Sequence, residues 1–126
     1  MNQAIDTVRS ACKRGLVLAP VAALLLSVSG LLLGNGLLGT LLIVRAGHEG
    51  FSSGAISAMM SFYFAGFTVG AFVLPRTIVS VGHVRTFAGF AAIASMTTLL
   101  HVAFVEPTAW MLLRLVTGFA YAGMIL

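Results

Sequence analysis

Thr108-Ala-Trp-Met-Leu-Leu-Arg114-Leu-Val-Thr-Gly118-Phe-Ala-Tyr-Ala-Gly-Met-Ile-Leu126 is an apolar run that carries a single charge. As an α-helix it would be about 28 Å long, just enough to cross the roughly 30 Å hydrocarbon core of a bilayer. A guanidinium at such a depth costs roughly 2.5–3.5 kcal/mol on insertion scales. A chain that places Arg114 there is therefore expected to turn it toward a protein interior or a watery pathway, not toward lipid. That expectation sets both the fold class and the search for a site.

Upstream lie three more apolar runs: Gly15 to Val44, Gly50 to Pro75 and Thr86 to Val105. Thirty helical residues in the first give about 45 Å, so tilt or interfacial overhang has to take up the excess. The expected helices are 17–44, 52–75, 86–105 and 108–126. Pro20 would sit in the first turn of the first, Ser52 or Ser53 would cap the second, and Pro75 would end it. Residues 1–15 would form a basic tail and 16–126 the membrane domain. A signal peptide would explain Arg9, Lys13 and Arg14 ahead of an apolar stretch, but this stretch is about twice the length of an h-region and more spans follow it.

Composition agrees with a bilayer environment. The 126 residues are 60% hydrophobic and 8% charged, with a mean hydropathy of +1.08, whereas soluble domains carry about 25% charged residues. The net charge of +4 is scattered between apolar runs and forms no basic stripe, which excludes nucleic acid as the partner. Cys12 is the only cysteine, so an internal disulfide is impossible. It is either a plain tail residue or a lipidation site. His48, His83 and His101 are too dispersed for a metal centre. With Asp6, Glu49 and Glu106 all in tail or loops, no embedded carboxylate is available for catalysis. Neither an enzyme nor a cofactor is expected.

Charge placement sets direction. Arg9, Lys13, Arg14, Arg76 and Arg85 belong to the N-terminal tail and the second loop, against Arg45 alone in the first loop, where Glu49 offsets it. The N-terminus and second loop are thus expected in the cytoplasm, with Trp110 and Tyr121 near opposite interfaces. Backbone satisfaction in lipid leaves helices as the only form for these runs, and short connections make consecutive helices antiparallel. The fold class is all-α membrane protein.

Small residues four apart, Gly30 with Gly34 and Gly66 with Gly70, favour close helix packing. The Gly34-Asn35-Gly36 step weakens the first helix and offers an amide for a bend or a ligand contact. Counting from the expected helix centres puts Asn35 about 6 Å and Arg114 roughly 4–5 Å outward of the midplane. Tyr63, Ser95, Thr97 and Thr98 fall near the centres of the second and third helices. The expectation is a polar layer at that depth, with Arg114, Asn35 and Tyr63 as candidates for substrate binding or coupling.

Arg114-Leu-Val-Thr-Gly118-Phe-Ala-Tyr-Ala122 resembles the fourth-helix motif of the major facilitator superfamily, an arginine followed by a glycine four residues on and then by small residues. Gly66, Gly70 and the segment from Pro75 through Arg76 to Gly82-His83-Val-Arg85 look like a degenerate form of the superfamily's signature between helices two and three, with Val79 where an aspartate is usual. A subgroup of bacterial transporters with a GHxR loop and a similar Gly34-Asn35-Gly36 region fits better. The resemblance implies a secondary active transporter built from two six-helix halves, each of 3+3 inverted repeats. Four of twelve helices would be present, as an N-terminal fragment still apolar at Leu126. It further implies a small-molecule substrate near the midplane, a cavity position for Arg114, proton linkage in some members, packing roles for Gly30, Gly34, Gly66, Gly70 and Gly118, and a cytoplasmic loop motif of Arg76, Gly82, His83 and Arg85. Its partners would be the lipid bilayer of the inner membrane and the remaining transporter helices. Two alternatives stand beside it. One is a complete four-helix dimeric exporter like the small multidrug resistance proteins, though those use a glutamate in the first helix and this helix has no acid. The other is a non-transporting membrane subunit.

Overall fold

The computed structural model describes residues 1–126. The chain is all-helical: α1 Asn2–His48, α2 Ser53–Val81, α3 His83–Ala103 and α4 Pro107–Ile125. All four helices are long and apolar enough to cross a membrane. Two compact units are present, Met1–Gly39 and Thr40–Leu126.

The first unit is the helix alone. α1 begins at Asn2 and not near residue 17, so the basic N-terminal stretch is helical from residue 2 onward. Ala, Gln, Lys and Arg in that stretch are good helix formers, and Thr7 and Ser10 return their hydroxyl protons to the backbone carbonyls of Gln3 and Thr7. Pro20 therefore lies deep inside α1 rather than in its first turn. The helix also runs unbroken through Gly34-Asn35-Gly36, because the N–H to carbonyl ladder survives two glycines at a cost of roughly 1 kcal/mol each. Leu16, Val17, Leu18, Leu24, Leu25 and Leu26 are all exposed. An apolar surface all round the helix suits hydrocarbon and not water.

The second unit opens with the last turns of α1, where Leu42 and Ala46 are buried. Arg45 and His48 are helical, not loop residues. Gly50, with φ +75°, takes the left-handed conformation that closes a helix, and the Phe51 N–H bonds back to the Ala46 carbonyl at 2.9 Å. Ser52 then caps α2 by accepting from the Ala55 N–H at 3.2 Å.

α2 does not end at Pro75. It continues to Val81 with Pro75 inside. Proline removes one backbone donor but does not force the chain out of the helix when neighbours are apolar and packed. Leu74 and Ile78 flank it, buried in a cluster with Ala122 and faced by Phe67, Phe90 and Phe119. The stop comes at Gly82, whose φ of 96° and ψ of 146° belong to a region that is essentially glycine-only. That single residue is the whole connection between α2 and α3. The expected loop motif is thus mostly helix: Arg76 lies in α2, and His83 and Arg85 in the first turn of α3. α4 starts with Pro107 at its first position, where the missing N–H costs nothing.

α4 is the hub. α3 packs on it antiparallel, matching His101 to Trp110 at one end and Phe90 to Phe119 at the other. α2 packs on it in parallel, from Phe51, just ahead of α2, against Trp110 down to Leu74 and Ile78 against Ala122. α2 and α3 are sequence neighbours yet touch each other little. The main interface is therefore between a parallel pair, and only α3 and α4 are closely packed antiparallel neighbours.

Candidate functional site

Trp110, Arg114, Thr117 and Tyr121 recur at helical spacing on one stripe of α4, and all four are buried. Arg114 is 2% exposed. Its guanidinium carbon lies 5.6 Å from the centroid of the Tyr63 ring on α2, a cation–π distance. The structure thus brings together Arg114 and Tyr63, two of the three candidates. The third, Asn35, belongs to α1 in the first unit.

Two guanidinium nitrogens, Nε and Nη2, are buried without a hydrogen-bond partner. These are the nitrogens of one edge of the planar group, the edge that donates two parallel bonds to a carboxylate or phosphate. The bare part of Arg114 is therefore a complete bidentate fork.

Beside it stands a residue that spacing alone had set aside. His101, in the last turn of α3, is 1% exposed. Its Nδ1 lies 2.6 Å from the Thr97 carbonyl. A carbonyl only accepts, so Nδ1 carries the proton and Nε2 of the neutral ring is an acceptor. That Nε2 is also buried and without a partner. The His101 ring lies 6.0 Å from the Trp110 ring, and Thr97 lies opposite Thr117, so Arg114 falls between these two contacts in the α3–α4 register. A sequence signal for this meeting did exist: His101 and Trp110 are nearly equidistant from the short turn at Phe104–Glu106, so antiparallel α3 and α4 must bring them face to face.

Trp110 packs inside the protein. It is completely buried, because its indole N–H donates to the Phe104 carbonyl while its ring takes Phe51 edge-on at 5.3 Å. Arg45 lies 5.9 Å from the same ring and 3.9 Å from Glu49. Tyr121 is likewise buried.

Of the hydroxyls expected in the polar layer on α3, one reaches another helix. Ser95 and Thr98 turn their hydroxyls onto their own helix, at the carbonyls of Ala91 and Ala94. Only Thr97 reaches across, its Oγ1 lying 3.1 Å from that of Thr117. Thr117 can donate to Thr97, which in turn donates to the Ala94 carbonyl at 2.9 Å, so both hydroxyls are satisfied.

The glycines divide. A Cβ at Gly66 would strike the Leu115 carbonyl, and one at Gly118 the Tyr63 carbonyl, with Phe67 N at 3.0 Å. A Cβ at Gly70 would come within 2.7 Å of the Ala122 Cβ. These three let α2 and α4 approach backbone to backbone and hold Tyr63 over Arg114. Gly30 and Gly34 have open space around them. No three His, Cys, Asp or Glu residues gather as a metal site. No protein-family model, curated protein or solved structure matches this chain.

Proposed function

We propose that this chain contributes four helices of a secondary active transporter of the major-facilitator type, moving a small solute across a membrane by alternating access. One observation carries the proposal: Arg114 is buried at the middle of a membrane-length helix with its bidentate edge bare. A buried guanidinium left unpaired costs several kcal/mol, and intramembrane charges of this kind mark ligand or ion pathways. In this reading Arg114 is the recognition group and Tyr63 holds its open face. The parallel α2–α4 pair forms a rigid wall against which other helices rock. The positive residues of the N-terminal stretch and of the α2–α3 junction support a cytoplasmic position for both at an inner membrane.

The test is Arg114→Ala in the whole transporter to which these four helices belong, reconstituted into proteoliposomes. Uptake of labelled succinate, gluconate and inorganic phosphate is measured beside ethidium as a cationic control. Uptake of at least one anion is expected in the wild type, with a fall of at least about tenfold in the variant. Membrane insertion should be kept or improved, since roughly 2.5–3.5 kcal/mol of insertion cost is removed. Flux unchanged by the substitution would leave Arg114 as a packing device and remove the basis of the proposal.

A further inference from the structure

We infer that the open edge of Arg114 and the bare Nε2 of His101 form one site for a small divalent oxyanion, taken up together with a proton that rests on His101. The inference deepens the transport proposal and rests on it only for the translocation step.

Three features lead there. First, the charge of Arg114 has no counter-ion within the helices around it: the chain's acids are Asp6, Glu49 and Glu106, at the start of α1 and in the two turns. Nothing in these helices neutralises it, and an anionic ligand would. Second, the unpartnered Nε and Nη2 present the two-pronged donor geometry that fits a carboxylate or a phosphate and not a neutral or cationic solute. Third, helical side chains lean toward the helix N-terminus, and the N-terminal end of α4 is the end that meets His101. That lean carries the Arg114 head toward the end of α4 at which the imidazole lies.

His101 is held for this use. Its Nδ1–H is anchored on the Thr97 carbonyl, so the ring cannot turn without breaking that bond, and Nε2 is left as the only atom to gain or lose a proton. A proton taken from water converts Nε2 from acceptor to donor, able to bond the second acidic group of the ligand. The charges decide when this happens. A monoanion neutralises Arg114 alone. A dianion would leave one negative charge buried, which a low-dielectric site disfavours strongly, and a proton on His101 cancels it. Proton uptake therefore follows the ligand's second charge. Of the titratable and charged groups on the packed elements, Arg114 lies one turn beyond Trp110 on α4 and is faced by Tyr63 on α2, and the Arg45–Glu49 pair stands at the Trp110 ring that His101 meets.

The test is calorimetric titration of the detergent-solubilised protein with succinate, near neutral pH, in two buffers of different ionisation heat. Benzoate serves as the monoanion. The wild type should take up about one proton per succinate bound and close to none with benzoate. His101→Gln, whose amide still donates a hydrogen bond, should bind succinate more weakly and with that uptake abolished. Arg114→Lys keeps the charge but loses the fork, and should weaken both ligands by about tenfold or more. The wild-type measurement stands even if a variant fails to fold. Absence of succinate binding, binding without proton uptake, or uptake unchanged in His101→Gln would each overturn the inference. Succinate binding with proton uptake but no flux in proteoliposomes would uphold the site and sink the transport proposal. Solute flux without anion binding would do the reverse.

Discussion

The two sides of α4 are built from different chemistry. Toward α2 the helix offers Gly118, the Leu115 carbonyl, Phe119 and Ala122, and α2 answers with Gly66 and Gly70. The contact is backbone on backbone. Toward α3 it offers Trp110, Thr117 and Gly123, met by His101, Thr97 and the Phe90 ring. That contact is side chain on side chain. Lipid gives no hydrophobic push between helices, so close van der Waals approach is the stronger device and hydrogen bonding the weaker one. A backbone cannot move aside, whereas a ring or hydroxyl can. The α2 side should therefore be intolerant of substitution and the α3 side forgiving. This division also places function: Arg114 lies on the stripe between the two sides, steadied by the rigid one and, in the site inferred above, sharing its ligand with the adaptable one.

The sharpest way to break this picture is Gly118→Val. Its Cβ would fall on the Tyr63 carbonyl and close to Phe67 N, both main-chain atoms. The helices must separate, at about 3 kcal/mol or more. Thermal unfolding in detergent, followed by circular dichroism and size-exclusion chromatography, should show a large loss of stability or failure to recover monodisperse protein. Gly30→Ala is the matching control, because a methyl group there meets nothing and the change should be neutral or slightly stabilising through helix propensity. Equal damage from both would show that glycine content, and not contact, is what matters.

A medium effect is expected at the junction. Gly82 sends α2 and α3 to different sides of α4 through one residue of glycine-only geometry. Gly82→Ala should cost about 1–3 kcal/mol by that strain alone, lowering the thermal midpoint while leaving the α2–α4 contact intact. Protease sensitivity confined to the Val81–His83 link, with the glycine-packed pair still protected, would sharpen the division. Wild-type stability in the variant would mean that α3 is placed by its packing and not by the turn.

These contrasts explain what the amino-acid pattern could reveal and what it could not. Four membrane-length helices follow from apolar runs, because length and charge exclusion are properties of one segment at a time. The helix ends do not: Pro75 reads as a stop and is not one, since its cost depends on neighbours that tolerate it. The spacing Gly66–Gly70 and the spacing Gly30–Gly34 are identical, yet only the first meets a backbone. Spacing says that two glycines share a face, never what lies opposite. Arg114 stood out because a charge in an apolar run is anomalous without any partner. His101 did not, because a histidine near a helix end is ordinary until antiparallel pairing sets it against Trp110 and beside Arg114. Residues that are unusual alone can be found in the sequence, and residues that matter only in pairs need the fold.

The smallest expected effect lies on the α3 side, and it tests the division most finely. Thr117→Val removes the one hydroxyl bond that joins α3 and α4 while keeping the volume. Thr97 is not stranded by the change, because its own hydroxyl still has the Ala94 carbonyl at 2.9 Å and the Ile93 carbonyl at 3.1 Å. Interhelical hydrogen bonds in membranes average only about 0.6 kcal/mol, and no orphaned group adds to that. The expected loss is therefore near 0.6 kcal/mol, about a fifth of the Gly118→Val effect, read in the same detergent melt. A loss as large as that of Gly118→Val would mean that hydroxyl bonding, and not close approach, holds α4. The assignment of a rigid and an adaptable side would then have to be reversed.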